Sequence, residues 1–296
     1  MRKKLGINKI VIPLAGFGTR FLPASKNYPK EMVHLVDKPV IHHIVEEAHR
    51  SGIREVIFVL NYSKDVIAKY FSHSQHPHQK RAFAQSVVAK NQLEDLSKLV
   101  NDMKFKSIRK TVTLGDGHSI LAAKKHIKKN EIFAVSMGDL LSFGEEPFLK
   151  QLMKQYDKLN NPVISVQQVS KEAVSRFGNI APKNSTNGLH EVKRIVERPK
   201  PENAPSNLAL TGKYILNSSI FKVLEKRLQN HKNGEVKLAH ALNDFAKTNK
   251  LYAYECSGQI QDTGNKLDFL KATVNFALKN KELGKPFKKF LKSLEL

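Results

Sequence analysis

The sequence predicts an α/β protein with a mixed, mostly parallel central sheet flanked by helices. Three observations carry this. Apolar runs of strand length recur at Ile10–Ala15, Glu55–Leu60 and Ile132–Met137. Segments with helical spacing of apolar residues separate them, as in Pro39–Ser51 with Ile41, Ile44, Val45 and Ala48. Strand, helix, strand in that order gives parallel neighbours joined by crossovers. The first run also ends in Gly16-Phe17-Gly18-Thr19-Arg20, a glycine bend at a strand's carboxyl end, where ligands to such sheets gather.

The elements follow in order. Ile10–Ala15 is nearly all apolar, as a strand buried on both faces requires. Pro39–Ser51 is the first helix, and Glu55–Leu60, reading EVIFVL, is a second buried strand. Val66–Phe71 reads as helical. Ser72–Met103 is polar and rich in His, Gln and Lys; it is expected to hold a helix around Asn91–Asp102 and to form a lid or arm. A strand near Lys106–Thr111 leads to Gly115, a helix over His118–Ile127, and the strand Ile132–Met137, which runs into Asp139. The second half is mixed. Pro162–Val169, Phe177–Pro182, His190–Val196, Leu208–Leu216 and Leu251–Glu255 read as strands, with a turn at Asn184–Gly188. Ser219–Leu228, Glu235–Lys247 and Lys266–Lys279 read as helices, and a basic tail ends the chain. No internal repeat or flexible linker interrupts the pattern, so both halves are expected to share one sheet around a cleft.

The 296 residues are ample to bury a core, and 41% hydrophobic with 26% charged residues describes a globular chain rather than a disordered one. The single Cys256 excludes an intrachain disulfide and a cysteine-built metal site, and reads as a small residue at a strand end. No run approaches the roughly 18 apolar residues of a membrane span. Met1-Arg2-Lys3-Lys4 imitates a signal peptide, but the apolar run behind it is short and broken by Pro13, so a cytoplasmic location is expected. The net charge of +23 allows three uses: nucleic acid, an anionic membrane surface, or small phosphorylated substrates. The basic residues are scattered and no aromatic-interleaved module accompanies them, so most read as solvated surface and nucleic acid is not the expected partner.

The bend after the first strand carries the chemistry. Glycines let backbone N–H groups approach an anion, while Arg20 and Lys30 bring full positive charge to the same place. Together they suggest a nucleotide triphosphate site. The spacing is neither the dinucleotide fingerprint nor a P-loop. Asp139 follows an apolar run and Gly138, a good position for holding a divalent cation. Asp262, in Gln261-Asp262-Thr263-Gly264-Asn265, is either a helix N-cap or a second ligand, depending on where the fold brings it. Mg²⁺ suits such a pair, because it takes one or two carboxylates plus substrate phosphates. Glu197-Arg198-Pro199 offers a carboxylate for two sugar hydroxyls and a guanidinium for a phosphate, or else an exposed ion pair. His73, His76 and His78 lie in a polar stretch, and the adjacent His42 and His43 point apart on a helix, so zinc is not favoured at either place. No serine or cysteine nucleophile stands out.

Gly16-Phe17-Gly18-Thr19-Arg20, Leu22-Pro23-Ala24-Ser25-Lys26, Pro29-Lys30-Glu31-Met32 and Leu35-Val36-Asp37-Lys38-Pro39 closely resemble the opening of bacterial UTP–glucose-1-phosphate uridylyltransferases. Gly115-Asp116-Gly117-His118, Met137-Gly138-Asp139, Phe177-Gly178, Glu197-Arg198-Pro199, Ala204–Ala209, Gly212-Lys213-Tyr214 and Asp262–Lys266 continue the likeness nearly end to end. The resemblance implies a Rossmann-like nucleotidyltransferase that makes UDP-glucose and pyrophosphate from UTP and glucose 1-phosphate with Mg²⁺. It implies a single domain, with nucleotide-binding residues 1–160, sugar-binding residues 161–265 and C-terminal helices over 266–296. It places Ala15, Gly16, Gly18, Glu31, Lys110 and Gly115 along the nucleotide, and Arg20 and Lys30 on its phosphates. It also places Gly178, Glu197 and Gly212 on the sugar, Arg198 on the sugar phosphate, and Asp139 and Asp262 on the metal. Relatives are usually dimers or tetramers, which makes Phe287, Phe290 and Leu291 a plausible self-contact.

Four positions depart from the family pattern. Lys110 stands where a glutamine pairs with uracil, and a lysine cannot accept a hydrogen bond. Arg198 replaces a lysine, keeping the charge in a different geometry. Lys237 and His240 replace a glutamine and an aspartate, and Asp116 adds a carboxylate between two glycines. These changes admit two alternatives: altered base or sugar specificity, and a diverged, non-catalytic sugar-nucleotide-binding paralogue.

Overall fold

A computed structural model describes residues 6–61, 64–72 and 85–294. In the first half, β1 (Lys9–Pro13), β2 (His34–Leu35), β3 (Lys38–Pro39), α1 (Val40–Arg50), β4 (Glu55–Asn61) and α2 (Asp65–Tyr70) come first. They lead into α3 (Val87–Asp102), β5 (Lys104–Lys110), α4 (Asp116–Ala122), β6 (Ile132–Ser136), β7 (Leu140–Phe143) and α5 (Phe148–Leu159). In the second half, β8 (Val163–Gln168), β9 (Gly178–Thr186), β10 (Leu189–Glu197) and β11 (Leu208–Asn217) precede α6 (Ile220–Gln229) and α7 (Leu238–Thr248). The chain continues through β12 (Tyr252–Glu255), β13 (Gln259–Asp262), α8 (Lys266–Lys279) and α9 (Gly284–Lys292).

Nine strands from both halves form one mixed sheet in the order β5-β4-β1-β6-β11-β8-β12-β10-β9. The run β5-β4-β1-β6 is parallel, with Val11 level with Ile57 on one side and Val135 on the other. Beyond it β11 is antiparallel to both β6 and β8, so the parallel order is concentrated in the first half. Because successive strand side chains point to opposite faces, Ile10 and Ile12 enter one core layer and Val11 the other. α1, α3 and α5 cover the first face through residues such as Ile44, Leu99 and Leu152. α4, α6 and α7 cover the second through Ile120, Leu224 and Leu242. Each such fully buried side chain contributes about 1.5–3 kcal/mol.

Several expectations change. The stretch 72–103 is not an arm in its described part: α3 buries Leu99 and Val100 in the core and delivers the chain to the edge strand β5. Residues 73–84, including His73, His76 and His78, lie outside the described residues, as do Met1, Arg2, Lys3 and Lys4. His42 and His43 both reach forward to Glu46 on the next turn, at 3.0 and 3.7 Å. His42 Nδ1 also lies 2.9 Å from the Tyr70 hydroxyl. The sequence reading omits α5 and the short ladder of β7 with β13, and the basic tail holds the helix α9. Among the described residues no helix is long and apolar enough to cross a membrane.

Candidate active site

A cleft of about 1010 Å³ opens at the carboxyl ends of β1 and β6. Its lining takes Ala15, Gly16 and Arg20 from the bend after β1, Lys30 and Glu31 from the 3₁₀ turn Lys30–Met32, and Asp139 from the end of β6. The sugar-side strands supply Glu197 and Arg198, and Asp262 closes β13. Asn61 at the end of β4 donates to the Ala15 carbonyl at 3.2 Å and fixes the start of the bend. Gly18 has φ +66 within it.

The two aspartates meet because of β7 and β13. In that antiparallel ladder Asp262 pairs with Leu140, the residue after Asp139. Thr263 then donates from both its backbone N–H and its hydroxyl to the Asp139 carbonyl, each at 2.8 Å. Asp139 Oδ2 and Asp262 Oδ1 both lie 2.8 Å from the point where a Cβ on Gly264 would sit, so they are at most twice that distance apart. Arg20 reaches within 3.5 Å of the same point. A divalent cation, which nucleotidyl transferases of this family generally use, fits two carboxylates beside a cleft that would supply the phosphate oxygens.

Lys30 Nζ lies 2.5 Å from Asp139 Oδ2. Burial alone would push the Asp139 carboxyl up, but the Lys30 ammonium overrides it and holds the group below the ordinary carboxylate value. Burial likewise works to lower the Lys30 pKa, and Asp139 and Glu31 outweigh it, so Lys30 stays charged. The pair thus presents an ionised carboxylate and a cation together.

Three cations that sequence reasoning missed or left without a role complete the site. Lys64 grips both oxygens of the buried Glu31 at 2.8 and 2.7 Å. Its own pKa is lowered, because burial outweighs that partner. Glu31 is therefore already bound when it faces the cleft. Arg176 contacts Asp262 at 3.2 Å and also pairs with Asp268 in the first turn of α8. Its sequence signal was its place directly before Phe177-Gly178. Lys237 Nζ sits 3.1 Å from Glu197 Oε1, so the lysine that departs from the family pattern neutralises the carboxylate expected to hold the sugar.

Other expected residues sit differently. Gly178 and Gly212 do not line the cleft directly. A Cβ on Gly178 would meet Glu197 Oε2 at 2.9 Å, and one on Gly212 would meet Leu140 at 2.4 Å. Both therefore support lining residues. Lys110 ends the edge strand β5 opposite Asn61 and is not part of the lining, whereas Thr113, Gly115 and Asp116 are.

Asp116 has a structural task that its sequence position did not reveal. Its Oδ1 accepts from Gly117 N at 2.7 Å and from Leu238 N, the first amide of α7, at 2.9 Å. Gly117 N also donates to Val236 O, and Val236 N to Leu114 O. Any Cβ on Gly115 or Gly117 would come within 3 Å of Val236 O. The glycines of this turn thus admit residues 235–237, which precede α7 rather than forming its first turn as expected. Burial, together with Glu197 and Glu235, raises the Asp116 pKa to about 6 against the two backbone hydrogen bonds. The folded state therefore holds this proton more tightly than the unfolded chain, whose reference value is 3.8. The stabilisation is complete below pH ~3.8 and is lost as pH rises through about 6. Asp116→Asn keeps the acceptor and removes the charge. Its expected effect is about 1–3 kcal/mol of added stability at pH 7 and a flatter stability profile between about pH 4 and 6, read by urea unfolding.

This fold and this cleft are those of a nucleotidyl transferase, and the family model of that description matches residues 9–279. The chain is 39% identical to the UTP–glucose-1-phosphate uridylyltransferase of Bacillus subtilis (strain 168), over 97% of each chain. It is similar to a UDP-glucose pyrophosphorylase solved with UDP-glucose, at TM-score 0.84 and 33% identity over 93% of this chain and all of that one. A UTP-bound enzyme of the same kind from Acinetobacter baumannii gives TM-score 0.86 and 33% identity over 98% of this chain and all of that one. The chain belongs to the UTP–glucose-1-phosphate uridylyltransferase family.

Proposed function

We infer that this chain transfers a uridylyl group from UTP to α-D-glucose 1-phosphate, giving UDP-glucose and pyrophosphate. The observation that carries the reading is the convergence of Asp139 and Asp262 beside Lys30 and Arg20, in one cleft with Glu197 and Arg198. The relatives named above carry the name of this reaction or were solved with its substrate UTP or its product UDP-glucose.

In this reading a phosphate oxygen of the sugar phosphate attacks the α-phosphorus of UTP in line. The new P–O bond forms as the bond to the β-bridging oxygen breaks, and pyrophosphate carries the electron pair away. The attacking oxygen is already ionised, so no general base is needed. The protein's work is positioning and charge compensation. The bend at Ala15, Gly16 and Gly18 lies along the nucleotide, with Glu31 fixed by Lys64 behind it. Arg20 and Lys30 hold the triphosphate, Arg198 meets the sugar phosphate, and Glu197 takes sugar hydroxyls. Asp139 and Asp262 would hold Mg²⁺, which when bound neutralises charge on the phosphates. Substrates of this kind and the absence of an apolar spanning helix among the described residues support a cytoplasmic setting.

Pyrophosphate release tests the reading, with UTP and dTTP each offered against a panel of hexose 1-phosphates. The expected result is turnover highest for UTP with glucose 1-phosphate. A preference for dTTP or another sugar would replace the substrate pair, and silence across the panel would leave a binding protein.

A further inference from the structure

Lys237, Arg198 and Asp116, all departures from the family pattern, line the cleft together with Glu197. Lys237 Nζ lies 3.1 Å from Glu197 Oε1, and among the described residues that is its one hydrogen bond. Glu235 Oε2, at 3.9 Å, is too far to take a second. An ammonium carries three donors, so Lys237 has donors to spare at the cleft wall. Its backbone is fixed from both sides. Val236 N donates to Leu114 O, and Leu238 N donates to Asp116 Oδ1. A pinned stretch of chain therefore delivers the ammonium to the carboxylate. The side chains of Lys237 and Glu197 are 22% and 16% exposed, against 56% for Arg198. The pair is withdrawn from water yet open to a ligand in the cleft.

We propose that Lys237 is a specificity-determining residue for the sugar. With Glu197 it reads one sugar hydroxyl from both sides: Nζ donates to the hydroxyl oxygen, and the carboxylate accepts the hydroxyl proton. Two groups 3.1 Å apart can each lie about 3 Å from one oxygen between them. The inference rests on the reading that the cleft holds a UDP-hexose, and it names what that site selects: a hexose with this hydroxyl free. A glutamine, the family's residue here, would donate from a neutral amide. The ammonium makes a charge-assisted bond, roughly twice as strong. A deoxy analogue desolvates both partners and returns nothing to either. Sites built to hydrogen-bond a hydroxyl reject such analogues far more strongly than an apolar pocket rejects a small change of shape. If Lys237 only offset the charge of Glu197, every hexose would feel its loss equally.

The test is calorimetric titration of the wild-type chain, Lys237→Met and Lys237→Gln. The ligands are UDP-glucose, analogues each lacking one glucose hydroxyl, and UDP as reference. Wild type is expected to bind one deoxy analogue at least about tenfold more weakly than UDP-glucose. In Lys237→Met that gap should shrink at least about fivefold, with Lys237→Gln between the two. Unchanged UDP affinity reports that both variants are folded. An equal loss for all the hexoses with the gap intact would mark charge balance alone and overturn the proposal. So would a fall in UDP affinity as large as that for UDP-glucose, the absence of discrimination by wild type, or no binding of UDP-glucose. Pyrophosphate release on the same proteins separates the two readings. A chain that turns nothing over, yet shows the gap and its reduction in Lys237→Met, keeps this proposal and loses uridylyl transfer.

Discussion

Asp139→Asn is expected to slow pyrophosphate release at least about 10³-fold while the fold survives. The two halves of that statement rest on different atoms. The fold uses the backbone of Asp139: its carbonyl accepts both hydrogen bonds from Thr263 that join β7 and β13. An asparagine keeps that carbonyl. The chemistry uses the side chain, whose Oδ2 meets Lys30 at 2.5 Å and shares the space above Gly264 with Asp262. An amide of the same shape removes one of the two negative charges that would hold a divalent cation. It also leaves Lys30 without its counter-charge. That lysine is then free to bind phosphate, so calorimetry should find UTP binding retained while turnover is lost. Thermal unfolding should stay within a few degrees of the wild-type midpoint. Near-normal turnover in the variant would remove Asp139 from the reaction.

Much of this site was legible in sequence because its signals are local. The bend from Gly16 to Arg20 and the run into Asp139 each announce themselves by an apolar strand that stops at glycine. The convergence of Asp139 with Asp262 was not legible in that way, since it depends on β7 and β13, two four-residue strands that form a separate two-stranded sheet. The same holds for Lys64 and Arg176, whose partners Glu31 and Asp262 are brought to them by the fold and by no motif. Asp116 shows the opposite failure. A carboxylate between two glycines beside a triphosphate looks like a fault in a binding loop. The structure makes it the anchor for the first amide of α7, a partner more than a hundred residues away. The helix α5 was overlooked although Phe148, Leu149, Leu152 and Tyr156 have helical spacing, and all four are buried.

Glu47→Ala is expected to destabilise the protein by about 3–5 kcal/mol, the largest stability effect of any single change here. Glu47 faces inward from α1, and its Oε2 lies 3.0 Å from Nζ of Lys213 in the middle of β11. Lys213 is fully buried, and Ser136 on β6 accepts a second hydrogen bond from it at 2.7 Å. The other oxygen of Glu47 takes the amide of Leu149 in the first turn of α5, at 3.2 Å. One carboxylate therefore satisfies a buried ammonium and an otherwise orphan helix amide. Its loss leaves a charge in the core with only a hydroxyl beside it. Lys213→Met should cost less than Glu47→Ala, because Glu47 then keeps the Leu149 amide. Glu47→Leu combined with Lys213→Met removes both charges, and should recover most of the loss, since apolar replacement of a buried pair is often neutral or better. Urea unfolding of Glu47→Leu alone, Lys213→Met alone and the two combined gives the coupling directly. A double variant as unstable as the sum of its singles would show that the two groups act separately. Neither Glu47 nor Lys213 lines the cleft, so activity per folded molecule is expected to survive in the double variant.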